Sequence, residues 1–69
     1  MRIKYFEDTD TTLVELSANP PVETRELSEN IYLDLDSNGN VVSITIEHAS
    51  ASSDIREFLY QRIPAGMSA

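Results

Sequence analysis

The chain is defined first by what it does without: cysteine is absent, and glycine occurs twice in 69 residues. Without thiols there is neither a disulfide framework nor a thiolate zinc site. With Gly39 and Gly66 far apart, no glycine-rich phosphate loop can be assembled, and no Ser-centred nucleophile elbow is present. The five basic residues, Arg2, Lys4, Arg25, Arg56 and Arg62, do not cluster. Nucleic-acid binding rests on several basic side chains neutralising phosphates, so it is not expected here. No stretch approaches the roughly 18 apolar residues that span a bilayer. The opening Met1 to Asp8 has no uninterrupted apolar run of the kind at the centre of a signal peptide. A cytoplasmic protein that binds neither membrane nor nucleic acid is the expectation.

What is present is acid and β-pattern. Twelve acidic residues leave a formal charge of −7, which suits a solvated surface or contact with a basic partner. A chain this short buries only about 60% of the surface its unfolded form exposes. Its core is therefore thin. Having no disulfide to compensate, such a chain is expected to rely on self-association or on a small protein partner.

Residues 2–6 interleave Ile3 and Tyr5 with Arg2 and Lys4, the alternation of a strand. Glu7-Asp8-Thr9-Asp10 has turn chemistry, and 11–16 resumes a β-type composition. Pro20-Pro21 cannot donate to a ladder, which makes the segment before residue 22 a loop. Residues 22–27 carry charge on both faces, as edge strands do to discourage association with other chains. Asn30 is expected to take the left-handed conformation in a three-residue loop, Ser28-Glu29-Asn30.

The most informative stretch is 31–47. Ile31-Tyr32-Leu33-Asp34-Leu35-Asp36 and Val42-Ser43-Ile44-Thr45-Ile46-Glu47 alternate strictly on either side of Asn38-Gly39, the pair preferred in a type I′ hairpin turn. That turn predicts strands over roughly 31–37 and 40–47. It sets Ser37 opposite Asn40, Leu35 opposite Val42, Leu33 opposite Ile44 and Ile31 opposite Ile46, with Asp36 opposite Val41 on the other face. All the aliphatic side chains of the hairpin's alternating positions then share one face, and a slip of one residue would invert a strand.

From Ser52 the period changes, with Ser52 or Ser53 able to cap a helix start. A capping serine, Asp54 in the first turn and the stripe Ile55, Phe58, Leu59 and Ile63 predict a helix over 53–63, stopped by Pro64. It would pack on the sheet or at a dimer interface. The expected fold class is α+β and mostly β: an antiparallel meander of about five strands with one C-terminal helix, in a single domain over 1–64 with a disordered tail at 65–69.

Candidate chemistry is sparse. Asp34-x-Asp36-x-Asn38-Gly39 matches the first half of a calcium loop, but the twelfth position is Thr45, where a bidentate Glu is needed. A hairpin turn explains the same letters. His48 is the only histidine; it could act as a base beside Asp34 or Glu47, but a catalytic base demands further geometry and the reading preferred is a surface residue at a strand end. Glu7, Asp8 and Asp10 are candidate paired carboxylates or ordinary turn residues. No catalytic constellation, resident metal or cofactor site is expected, and the chain is not read as an enzyme. The alternative reading is a ligand or a divalent metal held on the hairpin's polar face by Tyr32, Asp34, Asp36 and Ser43.

The order Tyr5, Asp10, a β segment ending Leu16-Ser17, Glu23-Thr24-Arg25-Glu26-Leu27, Asp34-x-Asp36-x-x-Gly39-x-Val41-Val42-x-Ile44 and His48-Ala49-Ser50 resembles the small bacterial and archaeal proteins grouped as domain of unknown function 2283. The resemblance spans about residues 1 to 50. Where the family pattern has Gly-Ile-Glu-Ile this chain has Ser43-Ile44-Thr45-Ile46, and His48 stands where an acidic residue is usual. A site built on those acidic residues is therefore not carried over. The resemblance implies a fold and no activity. Relatives encoded beside small toxin-like proteins imply, by association only, an antitoxin-like role. The resulting expectation is an interaction module, either a homodimer or the acidic partner of another protein.

Overall fold

A computed structural model describes residues 1–66 of the chain. Five strands, β1 (Arg2–Phe6), β2 (Thr11–Glu15), β3 (Glu23–Ser28), β4 (Ile31–Leu35) and β5 (Val41–Ile46), precede one short helix, α1 (Ala49–Ser52). All strand pairs are antiparallel, and the order across the sheet is β1-β2-β5-β4-β3. The fold is therefore α+β and mostly β, as the alternation predicts. The meander β3-β4-β5 and the hairpin β1-β2 join through the β2–β5 pair, while residues 16–22 carry the chain from β2 to the far edge. Leu16 and Ser17 donate to the Val42 carbonyl at 2.8 and 3.3 Å, and Val22 donates to that of Leu35 at 2.8 Å. Both ends of the proline-bearing crossover are thus tied to the end of the central hairpin. β3 is an edge strand, in keeping with its charge on both faces.

The hairpin register holds from Ile31 opposite Ile46 to Asp34 opposite Ser43, and then shifts. Leu35 faces Val41 rather than Val42, and Asp36 and Ser37 lie beyond the strand. The cause is Asp36. Its Oδ1 accepts the backbone N–H groups of Asn38 and Asn40 at 2.9 and 3.0 Å, and its carbonyl accepts that of Gly39 at 3.0 Å. The chain therefore turns over Ser37-Asn38, with Gly39 alone left-handed at φ 81°, as in a three-residue loop closed by a bulge. An Asx-type turn has displaced the two-residue type I′ turn that the Asn-Gly pair suggests. The β3–β4 connection differs in the opposite direction. Ser28 pairs with Ile31, leaving only Glu29-Asn30 in the loop, with a bulge between Glu26 and Ser28. Asn30 is not left-handed: the only described non-glycine residues with positive φ are Asp10 and His48.

The larger departure is C-terminal. The helix expected over 53–63 is not formed; the helical turn lies earlier, at Ala49–Ser52, and Ser53 is extended at φ −142°. Asp54 supplies part of the reason. Its Oδ1 accepts the Arg56 backbone N–H at 3.2 Å and the guanidinium at 3.3 Å, a local bond that competes with helix geometry. A helix of about ten residues is also marginal without a surface to pack on. Of the tail expected at 65–69, residues 67–69 lie outside the described residues.

Candidate functional site

The paired strands sort every side chain to one of two faces. Ile3, Val14, Ile44, Leu33 and Arg25 stand in one row across the sheet, and Tyr5, Thr12, Ile46 and Ile31 in the next. Leu35 and Val42 extend this apolar face at the crossover end. The opposite face carries the rows Arg2, Glu15, Ser43, Asp34, Thr24 and Lys4, Leu13, Thr45, Tyr32, Glu26.

On the polar face the sequence-derived ligand residues are placed as follows. Asp34 takes the Thr24 hydroxyl on Oδ1 at 2.6 Å and the Ser43 hydroxyl on Oδ2 at 2.7 Å, a bridge across three strands. These hydroxyl bonds, Thr24 foremost, hold the Asp34 carboxyl below its ordinary value despite partial desolvation. Tyr32 sits one pair along the same face, its pKa raised chiefly by the nearby Glu47 charge. Asp36 does not join them. It is buried beyond the register shift, where its carboxylate accepts from Asn38, Asn40 and the Asn19 side-chain amide, and the Asn40 backbone bond leads in lowering its pKa. The residues of the calcium-like spacing are thus engaged in a strand bridge and a turn. Among the described residues no cluster of three or more His, Asp or Glu is placed to hold a metal.

A second constellation was visible in the sequence only as scattered letters. The Tyr5 hydroxyl donates to Asp10 Oδ1 at 2.5 Å, and the Ser50 hydroxyl donates to Asp10 Oδ2 at 2.7 Å. The Ser50 and Ala49 backbone N–H groups donate to the Asp10 carboxylate and carbonyl at 3.1 and 2.9 Å. His48, the residue before α1, provides no side-chain cap, so Asp10 caps this turn from a loop forty positions away in sequence. Asp10 reaches this pose at φ 54°, a conformation Asp tolerates better than most residues. The bond to Asp10 pushes the Tyr5 hydroxyl up to about 12, and the Tyr5 and Ser50 bonds lower the Asp10 carboxyl. This is a latch. Glu7 and Asp8 lie in the exposed turn beside it. The His48 ring is exposed, with no hydrogen bond to Asp34 or Glu47 among the described residues.

The apolar face is unlike either. Among the described residues only Leu35 (5% exposed), Val42 (3%) and the α1 residue Ala49 form a buried hydrophobic core. Ile31, Leu33, Val14, Ile44 and Ile46 are half-buried, and Ile3 is exposed. The segment after α1 shelters one side of this face: Ile55 and Phe58 line a shallow hollow together with Ile3, Tyr5, Val14 and Ile46. Ile31, Leu33 and Ile44 do not line this hollow. The segment leaves its own apolar groups in water, with Phe58, Leu59, Tyr60 and Ile63 exposed by 61–71%.

Taken together, the molecule is a small single-layer antiparallel β-sheet protein with a carboxylate latch and one incompletely covered apolar face. The family model described as protein of unknown function (DUF2283) matches residues 2–50, and the chain belongs to that family. The match runs from β1 to Ser50 of the latch and leaves the exposed C-terminal segment outside. No curated protein and no solved structure matches the chain.

Proposed function

We propose that this protein is a small interaction module, non-enzymatic and cytoplasmic, whose role is to bind another polypeptide through the apolar face of its sheet. One observation carries the reading: the five-stranded sheet has on one face a row of aliphatic side chains, Val14, Ile31, Leu33, Ile44 and Ile46, that are only half-buried, with Ile3 exposed beside them. Stable domains bury such a face against another layer, and an exposed contiguous apolar patch marks a contact surface. Charge placement supports the same reading. Within the strands, the only charged groups on this face are Glu23 and Arg25 at the β3 edge, paired at 2.6 Å. The remaining strand acids, Glu15, Glu26 and Asp34, lie on the other face.

The test is thermal unfolding of the purified chain over a wide concentration range, with binding of an apolar dye measured alongside. A face that docks a polypeptide gives either a melting temperature that rises with concentration or, where no second chain is bound, strong dye binding to the native form. A concentration-independent transition with no dye binding contradicts the reading.

A further inference from the structure

Resting on that reading, we propose that the occupant of the apolar face is a second copy of this chain. Two sheets would pack face to face about a two-fold axis, over Ile31, Leu33 and Ile44, flanked by residues 55–63 of each copy.

Three observations identify the occupant. The first is charge. Each copy carries −7, yet the strands offer on this face only the internally neutral Glu23–Arg25 pair, and the C-terminal segment beside it adds two acidic groups, Asp54 and Glu57, and two basic ones, Arg56 and Arg62. Charges of the two signs are balanced on and around the face, so no net field there repels its own image. A two-fold interface requires such self-complementarity.

The second is geometry. Sheets stack about 10 Å apart with interdigitating aliphatic side chains, and the alternation along β4 and β5 supplies a flat row of β-branched and leucine side chains of that kind. A sandwich completes the missing layer with the material already present.

The third is area. The open side spans three strands, which at about 4.8 Å between strands and 3.3 Å per residue is on the order of 250 Å² in each copy. Alone this falls short of a stable contact. The exposed side chains of Phe58, Leu59, Tyr60 and Ile63 add on the order of 400 Å². Two copies then bury roughly 1,300 Å², inside the range of specific interfaces, which begins near 1,200 Å². The C-terminal segment is therefore part of the contact. This also accounts for apolar residues at helical spacing that find no surface within one chain.

The experiment is light scattering on the full chain. The expected mass is twice the 7.7 kDa of one copy. Leu33→Glu, at the centre of the face, is expected to yield a monomer. Because that variant can also unfold, the double variant F58S/L59S, at exposed positions outside the sheet, decides independently. It should keep the β-sheet circular dichroism while weakening dimerisation by about tenfold or more, equivalent to at least about 1.4 kcal/mol. Lys4→Ala, on the opposite face, should leave the mass unchanged. A monomeric wild type that binds apolar dye overturns the second copy and leaves the interaction reading standing; a monomer that binds no dye overturns both. A dimer unaffected by both Leu33→Glu and F58S/L59S also overturns the proposal, because association then lies elsewhere.

Discussion

The two faces of the sheet are held by different physics. On the polar face, side chains find partners within the chain: Lys4 meets Glu15 at 2.8 Å, and Asp34 is shared between Thr24 and Ser43. On the apolar face the directed contacts lie at its margins, the Glu23–Arg25 pair at the β3 edge and the Tyr5–Asp10 bond at the latch, and the contribution of the aliphatic side chains between them depends on how much area is removed from water. The polar face is complete in one layer. The apolar face is complete only at the crossover end, where Leu35 and Val42 are buried. Directed bonds can fix a register on an exposed surface, whereas burial needs a second surface.

This contrast can be broken most severely at Leu35. Leu35→Ala is expected to cost about 2–5 kcal/mol, the range for a truncated core leucine, read by chemical denaturation. An effect well under 1 kcal/mol would show that the buried end is not the anchor of the apolar face. On the polar side, Ser43→Ala removes one of the two hydroxyls on Asp34 and should cost about 1 kcal/mol, leaving the mass of the assembly unchanged. Lys4→Ala should be nearly silent in stability, because exposed ion pairs contribute little.

Acid and base sharpen the same comparison. Asp10, Asp34 and Asp36 all titrate below their ordinary values in the folded chain because they accept hydrogen bonds. Their folded pKa values lie below the unfolded ones, so the unfolded chain takes up protons more readily. Their stabilisation is present above the ordinary Asp value and is lost as pH falls through the depressed folded values. Tyr5 acts at the other end. With its folded pKa raised from 10.0 to about 12, its contribution is full below pH 10.0 and is lost on rising towards about 12. The melting temperature should therefore fall in acid below about pH 4 and again in strong base, with Tyr5→Phe removing part of the alkaline fall. An ultraviolet titration in which no tyrosine ionises late would contradict the latch geometry.

Legibility in the sequence followed the range of the forces. The β4–β5 pairing was readable from Ile31 to Asp34 because strict alternation on both sides admits one register. It failed at Leu35 because Asp36 captures the Asn38 and Asn40 amides, a side-chain choice that binary pattern does not encode. Asn-Gly pointed to the correct place and the wrong turn. The latch was not derivable from local pattern, since Tyr5, Asp10 and Ser50 meet only once the β1–β2 hairpin lies against β5. The resemblance named all three residues without saying that they touch. The crossover that sets β2 beside β5 was likewise unmarked beyond its two prolines. Residues 53–63 have an apolar spacing as regular as that of many helices, but a short amphipathic segment takes up its period only against a surface, and Asp54 offers the backbone another bond. Of the polar-face residues singled out in advance, Asp34 and Ser43 are joined and Tyr32 adjoins them, whereas Asp36 belongs to the turn.

Solvent exposure of individual methyl groups, measured by nuclear magnetic resonance with a soluble paramagnetic agent, addresses the apolar face most directly. At concentrations where the chain is associated, the methyls of Ile31, Leu33 and Ile44 are expected to be as protected as those of Leu35 and Val42. On dilution they should become exposed while the latter two stay protected. Full exposure of Leu33 and Ile44 at every concentration, in a folded chain that neither associates nor binds an apolar dye, would contradict the account.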